Sequence, residues 1–166
     1  MDVAERFSSS SCSIVGIDGF MRSGKSPLSC MLEIQLGVEC LHIDDYLPPA
    51  RPEHKGLRFV DVLDLQKLRR AVDVRRARGP LLIEGILLRD IIKLLSLEDT
   101  VFHVYVAAVW RPSASCVRWN EGDRLVPGAY NSPLDTQIVE YHTRQMPQKY
   151  FDVAVLRDQD QSNSTE

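Results

Sequence analysis

Eight consecutive residues, Gly19-Phe20-Met21-Arg22-Ser23-Gly24-Lys25-Ser26, have the types and the spacing to hold a polyphosphate. They match G-x-x-x-x-G-K-[ST] in full. The two glycines let the backbone turn tightly, so that successive N–H groups point inward at an anion. Lys25 supplies a point charge for the β- and γ-phosphates, and the Ser26 hydroxyl is a ligand for Mg²⁺. A helix beginning at the loop adds its positive N-terminal end. These eight residues are the expected binding set for a nucleoside triphosphate.

Two further segments carry carboxylates. In His42-Ile43-Asp44-Asp45-Tyr46 an acidic pair follows a short apolar run. Phosphoryl transfer to a hydroxyl needs a base that takes the hydroxyl proton and a carboxylate that helps to hold the metal ion or its waters. Read as extended backbone, adjacent aspartates point to opposite faces, so one faces the site and the other supports it. A solvated turn or a helix-capping pair is the plainer alternative. In Leu81-Leu82-Ile83-Glu84-Gly85 an acid ends an apolar strand, a place suited to a second acidic group near Mg²⁺. Its plainer role is a buried glutamate capping the next helix.

The elements needed to position these residues are legible as alternating patterns. Apolar, β-branched runs predict strands at Ser13–Ile17, Cys40–Ile43, Pro80–Glu84, Val101–Ala107 and Val153–Leu156. Helical patterns are expected over Lys25–Leu36, Asp64–Ala77, Leu87–Leu95, Ser113–Asn120 and Leu134–Lys149. Pro27 falls in the first turn of its helix, where proline is tolerated. Strands separated by helices imply a parallel sheet covered on both faces, with the ligand at the carboxyl ends of the strands. Leu47–Arg58 and Trp119–Pro133 break the alternation and are read as long functional loops, the second as a lid. Residues 1–12 and 158–166 are expected to be flexible ends around one domain at 13–157.

The 166 residues suffice for one ordinary domain. A net charge of −3 argues against nucleic acid as the main partner, and no apolar stretch approaches membrane-spanning length. Cys12, Cys30, Cys40 and Cys116 lack metal-ligand spacing and read as reduced, mostly buried thiols. The N-terminus has neither signal-peptide nor transit-peptide character, so a cytoplasmic protein, monomeric or homodimeric, with a small-molecule substrate is expected.

Ile14-Val15-Gly16-Ile17-Asp18-Gly19 through Ser26, then Asp44-Asp45-Tyr46, then Ile83-Glu84-Gly85-Ile86-Leu87-Leu88, resemble in order and spacing the uridine kinase and nicotinamide riboside kinase group. Tyr141 through Pro147 and Lys149 through Val153 look like that group's final helix and strand. The resemblance covers about residues 13–157. It implies a three-layer α/β/α P-loop NTPase with a central five-stranded parallel sheet, using ATP and Mg²⁺ to phosphorylate the 5′-hydroxyl of a nucleoside or ribosyl compound. It implies further that Asp44 is the base for that hydroxyl, that Glu84 lies near the metal and that Asp61 holds ribose hydroxyls. Asp61 serves equally well as a first-turn helix acid.

The resemblance also implies a lid arginine at the transferring phosphoryl group. Arg111, Arg118 and Arg124 compete for that place: Arg118 as a helix residue entering the lid, Arg124 within it. Tyr46 and Arg144 are further substrate-side candidates. Trp110 and Trp119 read as packing or base-stacking residues, and the arginines from Arg69 to Arg78 as the wet face of a helix. Two departures stand out. Asp64–Gly79 leaves no room for the extra pyrimidine-pocket elements of uridine kinases, and Pro27 replaces the usual second hydroxyl residue after the lysine. Phosphorylation of another small metabolite, or nucleotide binding without turnover, are the rival readings.

Overall fold

In the computed structural model, Ile14–Gly19 forms β1, and all six of its residues are buried. The structure describes residues 2–109, 118–119, 125–126 and 133–158. β1 pairs in parallel with β3 (Leu81–Glu84) on one side and with β4 (Val101–Val109) on the other. β2 (Cys40–His42) adds outside β3, and β7 (Val153–Asp158) outside β4. The five-stranded sheet runs β2-β3-β1-β4-β7 and is parallel throughout, as the alternating pattern predicted.

The strand sequences carry two cores because side chains alternate across the sheet. Ile14, Leu41, Leu81, Ile83 and Val101 face one layer, with Leu68 and Val72 of α4 (Leu65–Arg76), Ile91 and Ile92 of α5 (Leu88–Leu95), and Ile138 of α6 (Pro133–Gln145). Val15, Ile17, Leu82, Phe102 and Val104 face the other, with Leu28 and Leu32 of α2 (Lys25–Leu36).

Helix ends follow local chemistry. α2 begins after Gly24 at φ 94° and stops at Gly37 at φ 65°, both left-handed. The Asp64 carboxylate accepts from the Lys67 N–H at 2.9 Å and starts α4. Arg69, expected simply to be wet, donates to the Leu94 and Leu95 carbonyls and closes the C-terminal end of α5. α6 stops at Gln145, short of the expected Lys149, because Met146 turns to φ 44° ahead of Pro147.

Three other expectations need correction. Val3–Ser8 is a helix, α1, rather than part of a frayed end; Val3 and Phe7, one turn apart, are buried in the second core. The helix expected over Ser113–Asn120 does not extend to its end: Arg118–Trp119 (β5) pairs antiparallel with Leu125–Val126 (β6). Cys40 is buried and Cys12 half-buried, but Cys30 is exposed, and all three are unpaired. Burial pushes the Cys40 thiol up to about 12, which makes it unreactive. Cys116 lies outside the described residues. No described helix is long and apolar enough to cross a membrane.

Candidate active site

The loop Gly19–Ser26 joins β1 to α2 at the carboxyl end of the sheet, between the first core strand and its helix. Gly19 sits at φ 151°, and a Cβ there would lie 2.4 Å from the Val106 carbonyl oxygen of β4. Only glycine allows β1 to turn into the loop against its neighbour. The Lys25 ammonium, 8% exposed, donates to the Gly19 and Phe20 carbonyls at 3.2 and 2.7 Å. Burial pulls its pKa down, and the carboxylates of Asp18, Glu84 and Asp44 push it back up. One ammonium is thus held among three acids from three different strand ends.

Glu84 ends β3 and is buried. Its Oε1 accepts from the Ser26 hydroxyl at 3.1 Å and contacts His42 Nδ1 at 2.8 Å. The two residues that the sequence assigns to Mg²⁺ are thus hydrogen-bonded to each other, and His42 joins them from β2. Glu84 Oε2 is buried with no hydrogen-bond partner among the described residues, as is Ser23 Oγ within the loop. A buried carboxylate oxygen without a donor fits a cation or its water. Among the described residues no group of three or more His, Cys, Asp or Glu forms a metal centre by itself. Mg²⁺ takes one or two protein ligands and fills its shell with phosphate oxygens and water.

Asp44 follows β2 as expected, but the backbone is a 3-10 turn over Ile43–Tyr46 rather than extended chain. Both aspartates consequently sit on the rim, the Asp44 carboxyl partly desolvated there, while Ile43 and Tyr46 point into the core. Asp44 alone lies within electrostatic reach of the loop: burial raises its pKa, Lys25 opposes, and Glu84 and Asp45 add to the rise. A carboxylate with a raised pKa is a better proton acceptor. Gly85 lets this turn approach β3, since a Cβ there would lie 2.8 and 2.9 Å from Ile43 side-chain atoms. Gly85→Ala is expected to displace the turn that carries Asp44 and to cost about 1–3 kcal/mol of stability, measurable by chemical denaturation.

The remaining sequence-derived candidates take other places. Tyr46 is buried, with Lys67 Nζ 5.2 Å from its ring centre. Asp61, on the single-turn helix α3 (Phe59–Val62), accepts from Arg58 Nε and Nη2 at 2.8 and 2.7 Å. Arg144 donates to both oxygens of Asp90 at 3.1 and 2.6 Å, tying α6 to α5. Met21 and Arg22 form the exposed crest of the loop, with Arg22 at φ 60°. Arg118 lies on the β5–β6 ribbon rather than on a helix. Arg111, Arg124 and Trp110 lie outside the described residues, as do most of Trp119–Pro133 and the segment 159–166.

Sequence reasoning assigned no role to two buried groups at the loop. Asp18, 2% exposed, accepts from the Gly19 N–H at 2.7 Å and from the Tyr141 hydroxyl. Burial pushes its carboxyl up to about 6, opposed by those two donors and by Lys25 and Arg89. His142 stacks on Phe20 with ring centres 3.8 Å apart, and burial holds its pKa down at about 4. An aspartate ending an otherwise apolar strand was the available signal, because a buried acid requires a partner.

No family model matches the chain, and no curated protein matches it. Solved structures do. One is a shikimate kinase from Aquifex aeolicus vf5, at 15% identity and a TM-score of 0.56 over 86% of each chain. Another is described as a possible uridine kinase from Bacillus stearothermophilus, at 16% identity and a TM-score of 0.54 over 93% of this chain and 99% of that one. The chain has the P-loop NTPase fold. At such identities the likeness concerns the fold, and the P-loop site of this chain rests on its own residues.

Proposed function

We propose that this chain is an ATP-dependent phosphotransferase that phosphorylates a hydroxyl group of a small molecule. The observation that carries the reading is the convergence of Asp44 and Glu84 on Lys25 at the mouth of a complete phosphate loop, with the Ser26 hydroxyl bonded to Glu84. A nucleotide switch needs the loop and the metal ligands. A rim carboxylate with a raised pKa, within the field of the loop lysine, is the further part that an acceptor hydroxyl requires. The names of the two structural neighbours, a shikimate kinase and a possible uridine kinase, agree with it.

The chain's own residues divide the work. The N–H groups of Gly19–Ser26 and the start of α2 bind the phosphates, and Lys25 offsets their charge. Ser26 and Glu84 would hold Mg²⁺, with His42 fixing the glutamate. When bound, that ion neutralises charge on the phosphates. Asp44 accepts the proton of the acceptor hydroxyl as its oxygen attacks. Within this class, a primary hydroxyl of a nucleoside or ribosyl compound is the first substrate to test, on the resemblance of the Asp44-Asp45-Tyr46 and Glu84-Gly85-Ile86-Leu87 segments. The Arg58–Asp61 ion pair qualifies that choice, because Asp61 must leave its guanidinium before it can accept ribose hydroxyls.

ADP release measured by a coupled assay against a panel of nucleosides, nicotinamide riboside, sugars and hydroxy acids tests the proposal. Acceptor-dependent release with at least one compound is expected. Release that no hydroxyl compound raises above background would leave nucleotide binding without transfer as the surviving reading.

A further inference from the structure

We propose that Tyr141 is a positioning residue for the nucleotide, and that helix α6 grips the phosphate loop through it. The inference rests on the nucleotide site proposed above and adds a residue 115 positions beyond the loop's end at Ser26.

The grip has two adjacent fingers. The Tyr141 hydroxyl donates to Asp18 and accepts from the Arg89 N–H at 3.1 Å, where α5 begins. Asp18 in turn takes the Gly19 N–H, so the phenol fixes the carboxylate that fixes the first amide of the loop. One residue on, the His142 ring lies on Phe20 at 3.8 Å with planes 12° apart, while its Nδ1 faces the Ile138 carbonyl at 2.8 Å. Asp18 and Phe20 flank Gly19, and both residues that hold them are 1% exposed. The same helix also binds Leu57 and Phe59 through Gln137, and Asp90 through Arg144 and Gln145. Positions 137, 141, 144 and 145 share one helical face, so a single face of α6 joins the phosphate loop, the segment that follows Leu47–Arg58, and α5.

The phenol hydroxyl matters more than the ring because Asp18 and Lys25 lie within each other's field. With the hydroxyl in place the carboxylate is held by two donors and the ammonium is left to the loop. Without it, the buried carboxylate keeps only the Gly19 N–H, and Lys25, whose charge acts on Asp18 ahead of that of Arg89, is the cation to replace the lost donor. The lysine is then drawn away from the phosphates.

Calorimetric titration with Mg²⁺ and a non-hydrolysable ATP analogue tests this independently of turnover. Tyr141→Phe is expected to weaken binding about tenfold, the scale of one hydrogen bond to a charged group. Adding Asp18→Asn to Tyr141→Phe is expected to restore part of that loss, since a neutral residue 18 no longer draws Lys25. A merely structural tyrosine gives no such rescue. Phe20→Leu, at a partly buried loop position, is expected to weaken binding several-fold with only a small fall in melting temperature, and it reads the second finger should Tyr141→Phe fail to fold. Unchanged affinity in Tyr141→Phe, additive losses in the double variant, or unchanged affinity in Phe20→Leu would overturn the grip. Absence of analogue binding by the unmodified chain overturns the nucleotide site and this inference together. Binding without ADP release in the acceptor panel overturns only the transfer reaction.

Discussion

Asp44→Asn is expected to lower kcat by about 10²–10⁴-fold while leaving the affinity for Mg²⁺ and ATP nearly unchanged. Asparagine keeps the size and the rim position of the side chain but cannot take a proton. Nucleotide binding is expected to change little because, among the described residues, Asp44 shares no hydrogen bond or ion pair with Lys25 and acts on it through its field alone, while the lysine's hydrogen bonds go to Gly19 and Phe20. Steady-state kinetics with the best acceptor of the panel, beside calorimetry with nucleotide alone, separates the two quantities. Undiminished turnover in Asp44→Asn would remove this residue from the reaction and return the acid pair to the solvated turn that its exposure otherwise suggests.

The second large effect is on stability at low pH. Burial holds the imidazoles of His103 and His142 down at about 4, against an ordinary value of 6.5. Between those values the unfolded chain binds more protons than the folded one, so stability falls as the pH falls. Asp18 works in the opposite sense. Its folded carboxyl takes a proton near 6 while the unfolded one waits until 3.8, so acidification through that window adds stability. Each of the three gaps corresponds to about 3 kcal/mol, somewhat less for half-buried His103. Two losses against the Asp18 gain, and against the further gain from the raised Asp44 carboxyl, leave a net loss between pH 7 and pH 4. Asp18→Asn removes its own gain, so its loss over the same range is expected to be greater by about 3 kcal/mol. Denaturation midpoints at pH 7, 5.5 and 4 for both proteins check the sign, and stability that rises on acidification in Asp18→Asn would refute the assignment.

The sheet was legible because its signal is dense. Each core strand is a run of buried apolar residues beside a helix with its own period, and Gly24 and Gly37 punctuate α2 at both ends. The phosphate loop was legible because its chemistry is local. What sequence could not show lies between segments or below the length of a pattern. α1 has six residues and only Val3 and Phe7 to mark it, too few for a helical period; its stability comes from burial against the second core. Strands of two residues, such as Arg118–Trp119, carry no alternation at all, and a helical reading of the surrounding residues had nothing to oppose it. The Asp44-Asp45 turn escaped because a strand's end and a 3-10 turn differ by a few backbone angles that composition does not fix. Tyr141 and Asp18 stand 123 residues apart, and their pairing exists only once α6 has packed on the sheet. Arg144, singled out in sequence beside Tyr141, instead binds Asp90, one helical turn beyond the phenol.

The positions of β1 and β2 in the sheet have a bearing on how such a protein could change its substrate. The phosphate loop grows from β1, which is laddered on both sides and buried along its whole length. Asp44 grows from β2, an edge strand of three residues laddered on one side only. A strand held from both sides transmits any alteration to two neighbours, whereas an edge strand transmits it to one. Variation on the β2 side from Leu47 to Lys55, short of the Leu57 carbonyl that Gln137 of α6 holds, therefore reaches β1 through the sheet only by way of β3. Under the proposed function the nucleotide is held at the centre of the sheet and the acceptor is met at its edge, so acceptor preference can change by small steps at the periphery while the energy donor stays the same.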